Sequence, residues 1–574
     1  MNKKEFLDNV TDQISYRPLR SEIRRELEEH IEDHMEEYEA EGLSARDAEE
    51  RAVSDMGDGI SIGVQINAVR HIQNTPLLIF MTLAFMLAGA AVSAYLSWLP
   101  EQASNGFLYF LPGTAFFLFT VYFGYPLFIR YRKWFAILLA AALACCILTT
   151  GLCSMGILTI WRIPLHSLLY FSLLLAVLLF PLLLYHFRKK GLGICIPAAF
   201  VWTALCLTAF LLQWRQVSCV ILVTAAAAAG TAVFMAARGI FQSRNSPRKK
   251  TAILLLAVTG IFTASNFLFP AQREIWKSFL RPKSSVSSKW DDTYNSLLVR
   301  ELLSRTPLSK GISLTPDEMI DYGTGRWYFE TRDPDQISLV RSDFSNQQSF
   351  QKAWEAKKSS QSVVWYDTSN VTLYDILPQH YHNNYLISLL ILQYGWGAGL
   401  LFLAFLAGYY LLLFSRIRKI RQPLASSLAF CCGLCLLGQT LLYILGNFGF
   451  QLGTFPVLPL LSEGRISILV NMFFLGFILS AYRYDRVSGF LLRSIQQDAP
   501  VTRLVGFPGI TGSFLWRLSA AGQIPHKIRF HLPPHKAQHK TGSAHPCRSS
   551  SALPDRRIPL PSFPCPPENN ASRR

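Results

Sequence analysis

The feature that most limits this chain is a series of apolar runs, each roughly 20 residues long, separated by short charged connections. A helix of that length spans the hydrocarbon core of a bilayer, about 30 Å, and satisfies its own backbone in a solvent that cannot. The runs fall near 76–98, 107–129, 135–157, 165–186, 192–213, 217–237, 251–270, 386–414, 424–446 and 466–482. The spacing predicts an all-α polytopic membrane protein with about ten transmembrane helices. A mean hydropathy of +0.24 and 40 Phe residues fit that class and exclude an ordinary soluble domain.

The net charge of +17 invites a nucleic-acid reading, but its distribution argues against one. Basic residues crowd alternate connections: Arg130, Arg132 and Lys133; Arg188, Lys189 and Lys190; Arg238, Arg244, Arg248, Lys249 and Lys250. Arg416, Arg418, Lys419 and Arg421, then Arg483 and Arg486, continue the alternation. By the positive-inside rule this predicts cytoplasmic termini, a multi-pass cell-membrane protein, and an extracytoplasmic loop at 271–384. No nucleic-acid partner is expected. The reading divides the chain into a cytoplasmic helical prefix (1–73), helices one to seven (76–270), the loop (271–384), helices eight to ten (386–494) and a basic low-complexity tail (495–574).

Within the loop, Gly325–Glu330 and Ser362–Tyr366 are aromatic and strand-like, while Asn295–Leu303 is helical in pattern, so a small folded domain with α+β content is expected. The loop has no Cys and so no disulfide. Cys432 and Cys435 form a lone Cys-x-x-Cys inside an apolar run, with no second pair or nearby His, which reads as helix packing. Asn370-Val371-Thr372 fits a glycosylation sequon, of consequence only in a eukaryotic secretory pathway. The tail is rich in Pro, Ser, His and Arg, either a disordered basic arm near anionic lipid or out-of-frame translation.

In the prefix, Leu19, Ile23, Leu27, Ile31 and Met35 recur every four residues, the stripe of an amphipathic helix with an acidic opposite face. Gly42 reads as its stop, and Ser44 with Asp47 as the cap of a second helix running to about Met56. His30 and His34 share a face, but Ile31 stands where a zinc-protease motif needs Glu, so a solvated face is expected. The run from Leu19 through Asp33, with Glu41-Gly42-Leu43-Ser44 and Met56-Gly57-Asp58, resembles the permease prefix domain found ahead of membrane proteins in Gram-positive bacteria. That resemblance implies regulation or docking.

Three further stretches carry a second resemblance. Asn447 to Ser467 contains Asn447-Phe448-Gly449, Gly453, Pro456, Leu458-Pro459 and Ser462-Glu463-Gly464 in order. Leu377-Pro378 followed by His382, Asn384 and Gly395 forms the second, with Arg273–Pro282 as the approach to the loop. Trp161–Leu168, keeping Pro164, is the third, with Gln213-Trp214-Arg215 beside it. Together they resemble the SEDS family (FtsW, RodA and SpoVE), membrane polymerases that build peptidoglycan strands from lipid II beside a class B penicillin-binding protein. What the resemblance implies is a cell-wall or cell-division role, with a lipid II-like substrate and a penicillin-binding partner.

On the same footing Asn384 falls where the family has its catalytic Asp, His382 falls on its His, and Pro459, Ser462 and Gly464 belong to a substrate loop. An Asn amide takes up no proton at working pH, so His382, His380 and Asp375 are the remaining candidate bases. No cofactor is implied, with room left for a divalent cation. The expected function is glycan-strand polymerisation or its non-catalytic regulation; the alternative is a transporter or a protein that binds lipid-linked precursors.

Overall fold

The computed structural model describes residues 2–97, 106–155, 157, 165–241, 277, 279–280, 292–328, 339–340, 345–346, 348–349, 352, 365–366, 372–378, 381–451 and 456–487. The chain divides into Met1–Pro500 and Val501–Arg574, the second wholly outside those residues. The expected span at 251–270, Asn370 and Val371 of the sequon, most of the loop's approach, Trp161–Pro164 and the tail also lie outside them.

The prefix is four helices: α1 (Lys3–Asp12), α2 (Arg17–Ala40), α3 (Ala45–Met56) and α4 (Gly59–Val69). Side chains of Asn2, Ser44 and Asp58 cap α1, α3 and α4 by accepting N–H groups of the first turn. Leu19, Ile23 and Ile31 of the expected stripe are buried, as are Phe6, Leu7 and Val10 of α1 and Ala52 and Val53 of α3, the helices in contact with α2. Gly42 takes φ 96°, left-handed, and ends α2 as expected. The His30 and His34 rings stack 5.6 Å apart, and among the described residues no cluster of three metal-ligating groups exists.

Seven helices among the described residues are long and apolar enough to cross a membrane, which makes this a polytopic helical membrane protein. They comprise α5 (Pro76–Ser97); α6 (Phe110–Phe119) running through a π turn into α7 (Tyr125–Ser154); α8 and α9 (Leu165–Ala176 and Leu179–His186); and the second arm of α10 (Cys195–Ala237). After the loop come α16 (Trp396–Lys419), α17 (Pro423–Asn447) and α18 (Arg465–Arg483).

Two of the continuous runs are too long for one crossing. Gly106–Ser154 is 49 residues, about 74 Å at the α-helical rise. Along it Gly113 meets Ile468, Thr120 meets Gly476 and Gly124 meets Ser480; then Phe128 packs on Phe477 and Phe135 on Phe473. Contacts that climb α18 and then descend it mark a reversal. It falls at Tyr131 (φ −116°, ψ 24°), amid Arg130, Arg132 and Lys133. In α10 the Cys206 side chain lies against Thr224, 18 residues on, where an unbroken helix would separate them by about 27 Å. That helix doubles back as well.

The loop keeps a small helical core. Helices α11 (Asp292–Arg305) and α12 (Pro316–Thr324) bury Tyr294, Leu298, Leu302 and Tyr322, with Trp327 Nε1 donating to Tyr294 Oη at 3.0 Å. One two-residue parallel pair, β1 (Leu339–Val340) with β2 (Trp365–Tyr366), is the β content among the described residues. Two short helices, α13 (Leu373–Ile376) and α14 (Tyr381–Asn384), lead back toward the membrane.

There the structure corrects the sequence reading. The run 386–414 is not one span: it breaks at Gly395 (φ 90°) into α15 (Leu386–Tyr394) and α16. Loop residues make the break, because Trp396 and Gly397 donate backbone N–H groups to Pro307 and Leu308 carbonyls, and Ile312 donates to Leu392. A Cβ on Gly395 would stand 2.7 Å from the Leu308 oxygen. A Cβ on Gly399 would stand 2.4 Å from Ile391 Cγ1, a contact between residues about 12 Å apart in a straight helix. So α15, nine residues and about 14 Å long, folds back at the end of the bundle.

At the bundle's other end, the Arg238 guanidinium donates to the Arg418 and Ile420 carbonyls at 2.6 Å, and the Asp485 carboxylate accepts from the Arg421 and Gln422 N–H groups. Gln73 N–H donates to the Arg483 carbonyl at 3.0 Å, Arg483 donates to Asn74 at 2.6 Å, and Tyr16 packs edge-on against Tyr484. The prefix therefore docks where the basic connections meet.

Candidate functional site

The re-entry turn is held by a side chain from α17. The first N–H groups of an α-helix have no partner within it, and Tyr385 offers α15 no side-chain cap. Asn447 supplies one from 59 residues away: its Oδ1 accepts Ile387 N–H at 3.1 Å and Ser388 N–H at 3.0 Å. Its Nδ2 donates to the Asn384 carbonyl at 3.0 Å and the Tyr443 carbonyl at 2.9 Å. Only one orientation of the amide places oxygen against donors and nitrogen against carbonyls, so its dipole is fixed. Ser388 Oγ closes the ring by donating to the Asn447 carbonyl at 2.7 Å.

One turn earlier on α17, Tyr443 Oη accepts Leu386 N–H at 3.1 Å and donates to the Asn383 carbonyl at 2.9 Å. That carbonyl takes a second donor, Ser462 Oγ at 3.1 Å, and Ser462 Oγ in turn accepts Leu458 N–H. Two segments distant in sequence, α17 and the turn that carries Ser462, are thus locked on one two-residue backbone stretch, Asn383-Asn384. Asn383 Oδ1 is enclosed with no donor among the described residues.

The segment carrying Ser462 is a tight turn. Leu461 and Ser462 both donate N–H to the Leu458 carbonyl. Pro459, buried, sits at the position a proline favours, and Leu460 at the following position takes φ 84°, where such a turn prefers glycine. Among the described residues it is the one non-glycine with positive φ. Backbone strain of that kind persists only where surrounding contacts enforce it. Here the Leu461 carbonyl lies so close to Gly89 of α5 that a Cβ there would approach to 2.9 Å. Gly464, at φ 149°, then opens α18, with a Cβ excluded by Ser467 Oγ at 2.3 Å.

Between them Glu463 is half-buried and accepts Ser93 Oγ–H at 2.5 Å. A Cβ on Gly106 would fall 1.8 Å from its Oε2, so the carboxylate occupies space that only a glycine leaves. Arg465 covers the Tyr109 ring at 5.0 Å.

The candidate residues separate accordingly. Asn384, Pro459, Ser462 and Gly464 lie in or beside the locked turn. His382 lies in α14, two residues before Asn384, with its side chain outside the described residues; His380 is outside them altogether. Asp375 is not brought to the turn's network: its Oδ2 accepts both the N–H and the Oγ–H of Thr372 at 2.7 Å, capping α13. Tyr443 and Ser388 are not singled out by sequence. Tyr443 is marked only by its one-turn spacing to Asn447 on a membrane span, and Ser388 by nothing.

No family model and no curated protein matches the chain. A solved structure described as "Structural coordination of polymerization and crosslinking by a peptidoglycan synthase complex" is similar at 15% identity, covering 71% of this chain and 97% of that one, with a TM-score of 0.39. A likeness of that size carries no functional argument.

Proposed function

We propose that this chain is a SEDS-type cell-wall protein of a bacterial membrane with about ten crossings, counting 251–270, cytoplasmic termini and an outward loop. In this reading it binds a lipid-linked glycan precursor at the locked turn and acts as a non-catalytic partner of a class B penicillin-binding protein. One observation carries it: two of the three stretches that hold the resemblance, 377–395 and 447–467, meet through Asn447 and Ser462, with Tyr443 of α17 beside them, and all three locking groups are neutral. Glycosyl transfer needs a group to receive the acceptor hydroxyl's proton as its oxygen attacks the sugar and the diphosphate leaves. Asn384 is no such group, and Asp375 is engaged in a helix cap.

The test is polymerisation of labelled lipid II by the purified chain, alone and with its penicillin-binding partner. No product alone, stable association in pull-down, and product from an Asn384→Asp variant support the proposal. Product from the unaltered chain, abolished in His382→Ala, overturns the non-catalytic part in favour of a second reading. That reading, an active polymerase using the His382 imidazole as base, is favoured by the placement of His382 two residues ahead of the fixed Asn384 backbone. Solute uptake into vesicles without lipid II binding would point instead to a transporter.

A further inference from the structure

Arg300 is a cation set beside the candidate site without an acid to match it. Five residues on along α11, Arg305 is matched: its guanidinium pairs with Glu318 and donates to Tyr322 Oη at 2.8 Å. Arg300 instead donates Nε–H to the Gly449 carbonyl at 2.9 Å and lies over the Phe450 ring at 4.0 Å. Among the described residues it forms no ion pair, and its Nη2 is enclosed with no acceptor. Desolvation by burial holds its pKa below the ordinary arginine value. A purely structural guanidinium in such a place leaves a charged N–H unsatisfied, which is costlier than a neutral one.

The seat is built for it. Gly449 takes φ 77°, and a Cβ there would stand 2.5 Å from Arg300 Cγ. Gly449 follows the end of α17 by two residues, so the guanidinium lies level with the end of a membrane span. The next residue after Phe450, Gln451, accepts from Tyr385 Oη at 3.2 Å, which joins this seat to the Asn384 turn. A guanidinium edge is shaped to bind phosphate oxygens in pairs, and headgroup phosphates lie at the depth of span ends.

We propose that Arg300 binds the phosphate of a membrane amphiphile at this end of the bundle. Identifying that amphiphile as a diphosphate-linked carrier rests on the function proposed above. Binding of a long-chain polyprenyl diphosphate to the full-length chain in detergent is measured by thermophoresis, with phosphatidylglycerol and inorganic diphosphate as competitors. Arg300→Gln is expected to weaken binding about tenfold, and Arg300→Lys about threefold, because an ammonium keeps the charge but not the fork. Competition by phosphatidylglycerol keeps the amphiphile and assigns it to ordinary anionic lipid.

Unchanged affinity in Arg300→Gln overturns the proposal, as does displacement by inorganic diphosphate at equal concentration. If Arg300→Gln does not fold, unchanged affinity in Arg300→Lys overturns it and the threefold loss supports it. Binding requires no turnover, so the two readings fail separately. A chain that binds the carrier through Arg300 but has no cell-wall partner sinks only the function; a cell-wall protein whose Arg300→Gln variant binds normally sinks only this.

Discussion

At the residue scale, Asn447 does the work of four separate groups. Replacing it with Ala strands the Ile387 and Ser388 N–H groups and the Asn384 carbonyl in a buried setting, each at about 1–3 kcal/mol. Asn447→Ala should therefore lower the melting temperature in detergent and raise hydrogen exchange at 386–388. Asn447→Asp should do no better, since a second oxygen would face the Asn384 and Tyr443 carbonyls. Exchange at 386–388 unchanged in Asn447→Ala would show that the cap holds nothing. The Gly106 and Glu463 pair offers a cleaner cycle. Gly106→Ala forces a methyl onto the carboxylate, and Gly106→Ala with Glu463→Ala removes the clash. The double variant should be less destabilised than the sum of the singles, by about 1–3 kcal/mol of coupling; additive melting shifts would mean that the two residues do not share that space.

At the element scale, what was legible in the sequence follows from which forces act locally. Seven spans among the described residues were legible because lipid demands long apolar runs, and the cap at Ser44 because its partner is three residues away. The break at Gly395 was not, since the backbone groups that enforce it come from 307–312, over eighty residues upstream. Helix α4 gave no apolar stripe because its packing face is two glycines: a Cβ on Gly63 would come within 2.6 Å of the Val10 carbonyl. The locked turn was half legible. Asn447 and Ser462 stood in a motif, while Ser388 stood in an apolar run with nothing to mark it.

The helix α12 makes a pH-dependent prediction. Glu318 accepts the Thr315 backbone N–H and is bonded by Arg305, and both hold its carboxyl below the ordinary 4.5. A pKa depressed in the folded state contributes stability above the unfolded value and loses it as pH falls through the folded one. Protection of 315–324 from hydrogen exchange should fall as pH drops below about 4.5, and Glu318→Gln should remove that dependence.

At the scale of the whole molecule, the two ends of the bundle differ in kind, and α16 fixes their separation. Its first turn is bonded to the loop through Gly397 N–H to the Leu308 carbonyl, and its last turn carries Arg416, Arg418 and Lys419. Twenty-four residues give about 36 Å, one full crossing. Ser309 and Lys419, both exposed, must then face opposite compartments. The basic connections meet at the Lys419 end, where Arg238 reaches the Arg418 carbonyl and Arg483 reaches Asn74 ahead of α5. Cations are retained on the cytoplasmic side during insertion, so this end should be internal and the prefix with it. In intact cells a membrane-impermeant maleimide should label Ser309→Cys and spare Lys419→Cys until the membrane is opened, against the unsubstituted chain as background. The inverse pattern would place the locked turn and Arg300 in the cytoplasm, where no cell-wall glycan is polymerised, and would end the proposed function while leaving the fold intact. Labelling of both from one side would deny that α16 crosses at all.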